Sequence, residues 1–385
     1  MNWIESRVGD VAEVAIGPFG SALKADLYVA DGIPMVTGGD LGKGRWPDLT
    51  DAPCIDGATA SRLSRSIAVA GDLVFPHRGS IGRVGIADRS MMLSTSMMRA
   101  RFDKSRVSAE FAYWFFLAEG NRDLLTMASS VGTPGIGQPL TSLRSVRIRF
   151  PHLSEQDAIA EVLGALDDKI AANGLLVNRA LALGEALVRA GDLRPKPLEE
   201  LATITMGTSP RGDLLNENGV GIPFFQGVRD FGEIYPTNRV FTSNPVRTAP
   251  DGAVLFAVRA PVGKINLAGS DTAIGRGLAS IVSDTQPATL FFAMRTFESV
   301  WDEFQGGGTV FASINGADVK STRLPMPTDR EAPGVEVRLS GLLGRAILAE
   351  RESQALNKAR DELLPLLMSG KITIKDAEKQ VEQEV

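Results

Sequence analysis

PHLSEQDAIAEVLGALDDKI, residues 151–170, opens a long apolar-striped run in the middle of the chain. Ser154 and Asp157 fit the S-x-x-D helix start, in which the hydroxyl accepts a backbone N–H and the carboxylate reaches back. From there Ile159, Leu163, Leu166, Ile170, Val177, Ala180 and Leu187 follow a four-three alternation that Asn173 and Gly184 interrupt. That spacing is a heptad seam. As helix, residues 154–190 would span roughly 55 Å at 1.5 Å per residue. Near the C-terminus Leu342, Ala346, Ala349, Leu356, Leu363 and Leu367 alternate in the same way, with Ser353 and Arg360 as polar breaks. Each stripe is narrow and suits one partner helix, and the obvious partner is the other stripe. Joined through an intervening domain, the two helices keep pseudo-twofold symmetry only if they run antiparallel. The competing arrangement packs each helix on its own lobe.

What flanks these helices is duplicated. GIPMVTGGDLGKGRWP (32–47) resembles GIPFFQGVRDFGEIYP (221–236), and GDLVFPHRGSIGRVGIA (71–87) resembles GAVLFAVRAPVGKINLA (252–268). GTPGIGQPLTSLRSVRIRFP (132–151) matches GTVFASINGADVKSTRLPMP (308–327), and NRALALGEALVRAG (178–191) matches NKARDELLPLLMSG (357–370). The offsets of 189, 181, 176 and 179 residues are close enough to mark two copies of one unit, each a globular part followed by a long helix. Short strands between Gly/Pro turns, with one aromatic helical stretch per copy (from Ser108 and from Ala288), predict mixed, strand-rich α/β lobes in an α+β fold. The aromatics recur at adjacent positions as well as at helical spacing, which favours core packing over base stacking. The expected segments are a first lobe over 1–150, a central helix in 151–193, a second lobe over 194–329, and a distal helix with a tail over 330–385.

A chain of 385 residues with 44% hydrophobic and 23% charged residues can bury two cores. No apolar run nears the roughly 18 residues of a membrane span, and MNWIESRVGD lacks a signal peptide's basic and apolar regions, so a cytoplasmic protein is expected. Cys54 has no second cysteine to pair with, and His77 and His152 lie far apart without ligands at metal spacing; no metal site is expected. The net charge of −5 argues against nucleic acid at face value, yet residues 1–150 carry 17 Lys/Arg against 15 Asp/Glu, so the sum conceals a more basic first half. Catalytic signatures end in near misses. Gly-Lys at 42–43, 263–264 and 370–371 lacks the rest of a phosphate-binding loop, RDFG (229–232) has no kinase catalytic loop to accompany it, and no Asn-Pro-Pro-aromatic tetrapeptide of an amino-methyltransferase occurs. His77 could act as a general base, but nothing is paired with it by a recognisable spacing, and no catalytic residue is assigned.

The informative stretches are Gly-rich turns between strands, which let backbone approach a ligand while presenting polar side chains. HRGSIGR offers Arg78, Ser80 and Arg83; VRAPVGK, its counterpart, offers Arg259 and Lys264. Two cations five residues apart suit phosphate oxygens or a guanine edge, although a solvated hairpin would look the same. Thr37 and Asp40 in one copy, Gln226 and Arg229 in the other, and the loops around Thr133 and Thr309 complete the candidate contacts. Their identities differ between copies, as two surfaces of different specificity on one scaffold would, or as drifting loops would.

Strand-rich unit, PHLSEQ, long helix, second unit and second long helix together resemble the specificity subunits of Type I restriction–modification systems, over essentially the whole chain. The resemblance implies a non-catalytic subunit whose two target-recognition domains each read one half of a bipartite double-stranded DNA site. It implies that the paired helices, through Ile159, Leu163, Leu166, Ile170, Val177, Leu342, Leu356, Leu363 and Leu367, fix the gap between halves and dock modification subunits, two of them. S-adenosylmethionine would then belong to those partners, and ATP to a restriction subunit where one is present, with no cofactor on this chain. The rival readings are a two-headed protein-binding adaptor and a hydrolase using His77. One departure stands out: TDREAPGVEVRLS after Pro327 has no match for LSEQ, and Pro333-Gly334 should postpone the second helix.

Overall fold

Strand pairing repeats along the chain as the sequence does. The computed structural model describes residues 3–42, 44–129, 134–306 and 312–384. They fall into two units, Met1–Ala172 with Glu352–Val385, and Asn173–Arg351. In unit 1 a four-stranded sheet has the order Ala12–Ile16, Met97–Phe102, Leu73–Pro76, Gly85–Ile86. Beside it a five-stranded sheet has the order Tyr28–Val29, Cys54–Ile55, Ile33–Val36, Met91–Leu93, Ile67–Ala68. Unit 2 repeats both orders, with Thr203–Met206, Leu278–Val282, Val254–Ala257, Ile265–Leu267 and then Leu215–Asn216, Phe241–Thr242, Ile222–Phe225, Thr272–Ile274, Thr248–Ala249. Even the parallel pairing recurs, as Met35↔Met92 and Phe224↔Ala273. The central strands read LVFP and VLFA, buried throughout as apolar runs covered on both faces must be, and each follows a glycine in the left-handed region, Gly71 or Gly252.

The aromatic stretches are core. Phe111, Trp114 and Phe116 in unit 1 and Phe291 and Phe292 in unit 2 are buried within the main cluster of their unit.

Both long helices form, Leu153–Arg189 and Ala332–Met368. They run antiparallel within each unit. In unit 1 Arg360 reaches Asp167 at 2.9 Å and Lys169 reaches Glu352 at 3.1 Å, so later residues of one helix meet earlier residues of the other. In unit 2 the first helix ends beside the start of the second, Asp192 N donating to Glu331 Oε2 at 3.1 Å and Thr328 N to Asp192 O at 3.0 Å. Ile159, Leu163, Leu166, Leu356, Leu363 and Leu367 are buried in the unit 1 core with Ile170 packed against it, and Val177 is buried in that of unit 2. The helix faces merge with the lobe cores, so each stripe is shared between the opposite helix and the sheet-bearing lobe, and the two arrangements weighed above coexist. At one position the register differs: Leu343 is buried and Leu342 half-buried, because the sequence of two leucines leaves the choice to packing.

Three local expectations are corrected. Ser154 and Asp157 form no capping box; the helix starts at Leu153, with the His152 carbonyl accepting from the N–H groups of Glu155 and Gln156 at 2.9 and 3.0 Å. Gly184 is no simple break in the seam, since a Cβ there would lie 2.2 Å from the Phe292 ring. And Pro333-Gly334 do not precede the second helix but lie in its first turn, where proline's missing N–H costs nothing. The glutamine of LSEQ does have a counterpart. Gln156, fully buried, accepts from Ser108 N at 2.8 Å and donates to the Arg106 and Pro151 carbonyls at 2.8 and 2.9 Å. In unit 2 Glu336 accepts from Ala288 N and Thr289 N at 3.1 and 2.8 Å. Both side chains fasten a long helix to the start of the aromatic helix of their unit. The second helix closes at Gly370 in the left-handed region, with Gly370 N bonded to Leu367 O and Lys371 N to Leu366 O, each at 3.0 Å.

Candidate nucleic-acid interface

In unit 1 three stretches that are distant in sequence meet at one end of the sheets. Strand Leu73–Pro76 runs out into Arg78–Arg83, where Gly79 N donates to Pro134 O at 2.9 Å and Ile136 N to His77 O at 2.8 Å, setting Arg78 against Gly135. Arg83 turns back and donates to the carbonyls of Gly38 and Leu41 at 3.0 and 2.9 Å. A Cβ at Gly38 would lie 3.1 Å from Pro76 and 3.3 Å from Ser80, so the TGGDLG loop sits directly on the Arg78 turn. Unit 2 repeats the contact between loops. Ala260 N donates to Ala312 O at 3.2 Å and Ile314 N to Val258 O at 3.0 Å, setting Arg259 against Ser313. Gln305 clamps the Val262 amide, donating to its carbonyl at 2.6 Å and accepting its N–H at 3.2 Å.

The candidate residues divide into two kinds. Arg78, Arg229 and Arg259 are exposed and have no side-chain hydrogen bond or ion pair among the described residues. Others are engaged within the fold. Arg83 staples two loops; Lys264, its counterpart, pairs with Glu298 at 2.6 Å. Thr37 and Asp40 satisfy each other, the threonine N–H and hydroxyl donating to Asp40 Oδ2 at 2.6 and 2.9 Å. Gln226 accepts from the Ser209 hydroxyl at 2.7 Å, and Ser80 is half-buried. Thr133 and Thr309 lie outside the described residues. Of the two cations that the sequence sets five apart in each copy, the first has no partner among the described residues, while the second is engaged, Arg83 by backbone carbonyls and Lys264 by the Glu298 side chain.

His77 is buried, and its Nε2 has no partner among the described residues. Desolvation pushes its imidazole below the usual range, with Arg78 adding to the effect. Its counterpart is the buried Val258, so the position serves packing. Since the folded state resists protonation there, the stability His77 confers is present above about pH 6.5 and is lost as the pH falls from that value through the lowered folded-state one. His77→Val is therefore expected to flatten the decline of Tm between pH 7 and 5, measured by thermal unfolding across that range. An equal decline in both proteins would contradict it.

Two exposed residues beside these arginines escaped sequence reading: Thr95 in unit 1 and Arg276 in unit 2. They stand 181 residues apart, the offset of the HRGSIGR and VRAPVGK turns, and that spacing could have found them.

Among the described residues no group of His, Cys, Asp and Glu is placed to hold a metal ion, and no helix is long and apolar enough to cross a membrane. Residues 1–177 match the family described as Type I restriction modification DNA specificity domain. A protein named for the specificity subunit of the type I restriction enzyme MjaX, from Methanocaldococcus jannaschii, is 26% identical over 361 residues, covering 85% of this chain and 84% of its own. Among solved structures, the S subunit of a type I restriction-modification system from M. genitalium superposes with a TM-score of 0.67 at 15% identity, over 95% of this chain and 96% of the other; that likeness is one of fold. The family match over residues 1–177 and the sequence likeness along 85% of the chain make it similar, in both copies of the duplicated unit, to type I restriction–modification specificity subunits.

Proposed function

We propose that each unit reads one half of a bipartite double-stranded DNA target, and that the long helices set the gap between halves and carry two modification subunits. The observation that supports the reading best is the pair Arg78 and Arg259, exposed and unpaired among the described residues at matching points of two lobes whose neighbouring side chains differ. A shared guanidinium suits a sequence-neutral phosphate, and the differing neighbours suit two different words. Docking is supported by the outer helix faces of unit 2, where Leu175, Leu176, Leu183, Val337 and Leu348 are exposed and Gly341 and Gly344 leave open space between the last two. In this reading S-adenosylmethionine is held by the modification subunits, ATP by a restriction subunit where one joins, and the complex works in the cytoplasm, where the DNA is. Partner subunits also supply phosphate neutralisation that a chain of net charge −5 lacks.

Co-expression with a modification subunit, followed by adenine-methylation mapping at single-base resolution, tests this. A bipartite, asymmetric motif is expected; bound partners without any motif would leave the adaptor reading instead. Arg78→Ala is expected to weaken one half-site about tenfold and Arg259→Ala the other, each with a shallower salt dependence of binding. Equal loss at both halves from either change would count against separate reading heads.

A further inference from the structure

The unit 2 sheet pairs Val254↔Ile281, Leu255↔Ser280, Phe256↔Ala279 and Ala257↔Leu278. Continued beyond its last pair, with Val258 N donating to Gly277 O at 3.0 Å, this register sets Arg259 opposite Arg276. In unit 1 the register Leu73↔Ala100 to Pro76↔Met97 continues through His77 N to Ser96 O at 2.8 Å and sets Arg78 opposite Thr95. One member of the pair is arginine in both units; the other changes.

The backbone of Arg276 is held on several sides. A Cβ at Gly277 would lie 2.2 Å from the Gln226 carbonyl, so no side chain fits on that flank, and one at Gly275 would lie 2.3 Å from Gln226 Oε1 and displace that amide. Arg276 N donates to Ser209 Oγ at 3.2 Å, that hydroxyl donates to Gln226 Oε1 at 2.7 Å, and Leu278 N closes the turn on Gly275 O at 3.0 Å. The guanidinium is exposed and has no partner among the described residues. Carboxylates on the adjoining loops are already taken, Asp213 by Arg211 at 3.1 Å and Asp230 by Arg239 at 3.1 Å. A free, five-donor fork thus projects from a backbone tied to the Ser209 and Gln226 loops.

Resting on the proposal that unit 2 reads DNA, we infer that Arg276 reads a guanine, donating two parallel hydrogen bonds to O6 and N7 in the major groove. Arg259, common to both units, holds a phosphate beside it. A contact that discriminates must be unit-specific and gains from a backbone held in place, and Arg276 has both features. A phosphate contact needs neither.

The test uses the complex with its modification subunits, comparing wild type with Arg276→Ala and with Arg276→Thr, the residue of unit 1. Both side chains are exposed, and the Ser209 bond is to the main chain, so wild-type melting temperatures are expected. Methylation mapping should show a guanine in one half-site relaxed to other bases, with discrimination falling about tenfold or more, while the other half-site and the gap stay as they were. The motif retained letter for letter by both variants would overturn the assignment, and a salt slope lowered by about one with the motif intact would make Arg276 a phosphate contact instead. If wild type itself yields no bipartite motif, the DNA-reading proposal fails first, and that outcome is separate from either variant's.

Discussion

Seven residues inserted after 172 and seven before 352, where the two units divide, are expected to widen the gap between unchanged half-sites by about three base pairs. The estimate takes 1.5 Å per helical residue and 3.4 Å per base step. A whole heptad keeps the buried stripe in phase to within roughly 20°, so the cores that hold Leu163, Leu363, Leu339 and Val177 are not asked to repack. Three base pairs turn the duplex by about three-tenths of a helical turn, and methylation should therefore slow even where the motif is read. Mapping reads the gap independently of rate. If the modified motif keeps its original gap, the helices are not the ruler; if half-sites change as well, the insertion has disturbed the lobes.

Gln156→Ala is expected to destabilise unit 1 by roughly 3–5 kcal/mol, because one backbone N–H and two carbonyls would lose the partner that a fully buried side chain supplies, at about 1–3 kcal/mol each. That is a large share of a domain stability of about 5–15 kcal/mol. The loss concentrates where the helix Leu153–Arg189 meets Ser108, Arg106 and Pro151. Glu336→Gln should cost unit 2 much less, about 1 kcal/mol, since an amide can still accept one N–H at the N-terminus of Pro287–Thr296 while forfeiting the charge that favours that end. Denaturant unfolding followed by probes in each unit separates the two. A shift below about 1 kcal/mol for Gln156→Ala would mean that water reaches the vacated groups.

The duplication, the strand-rich lobes and both long helices were legible because each rests on local periodicity: offsets near 180 residues, apolar runs bounded by glycine, and four-three spacing are properties of the chain read in order. Tertiary structure alone decided which side chains are free. Arg78 and Arg83 occupy the same Gly-rich turn and look equivalent as text, yet only Arg83 finds the carbonyls of Gly38 and Leu41, more than 40 positions away. Gly184 breaks the seam as text, yet in the fold Phe292 fills the space above it. Likewise Glu336 replaces Gln156 without sharing its motif, and the strands that carry Arg259 and Arg276 are brought to one end only through sheet register. Periodicity encodes what a segment becomes and which face it buries. The partner that saturates a given donor is set by the three-dimensional meeting of distant segments, and one sequence read in order carries no signal for that.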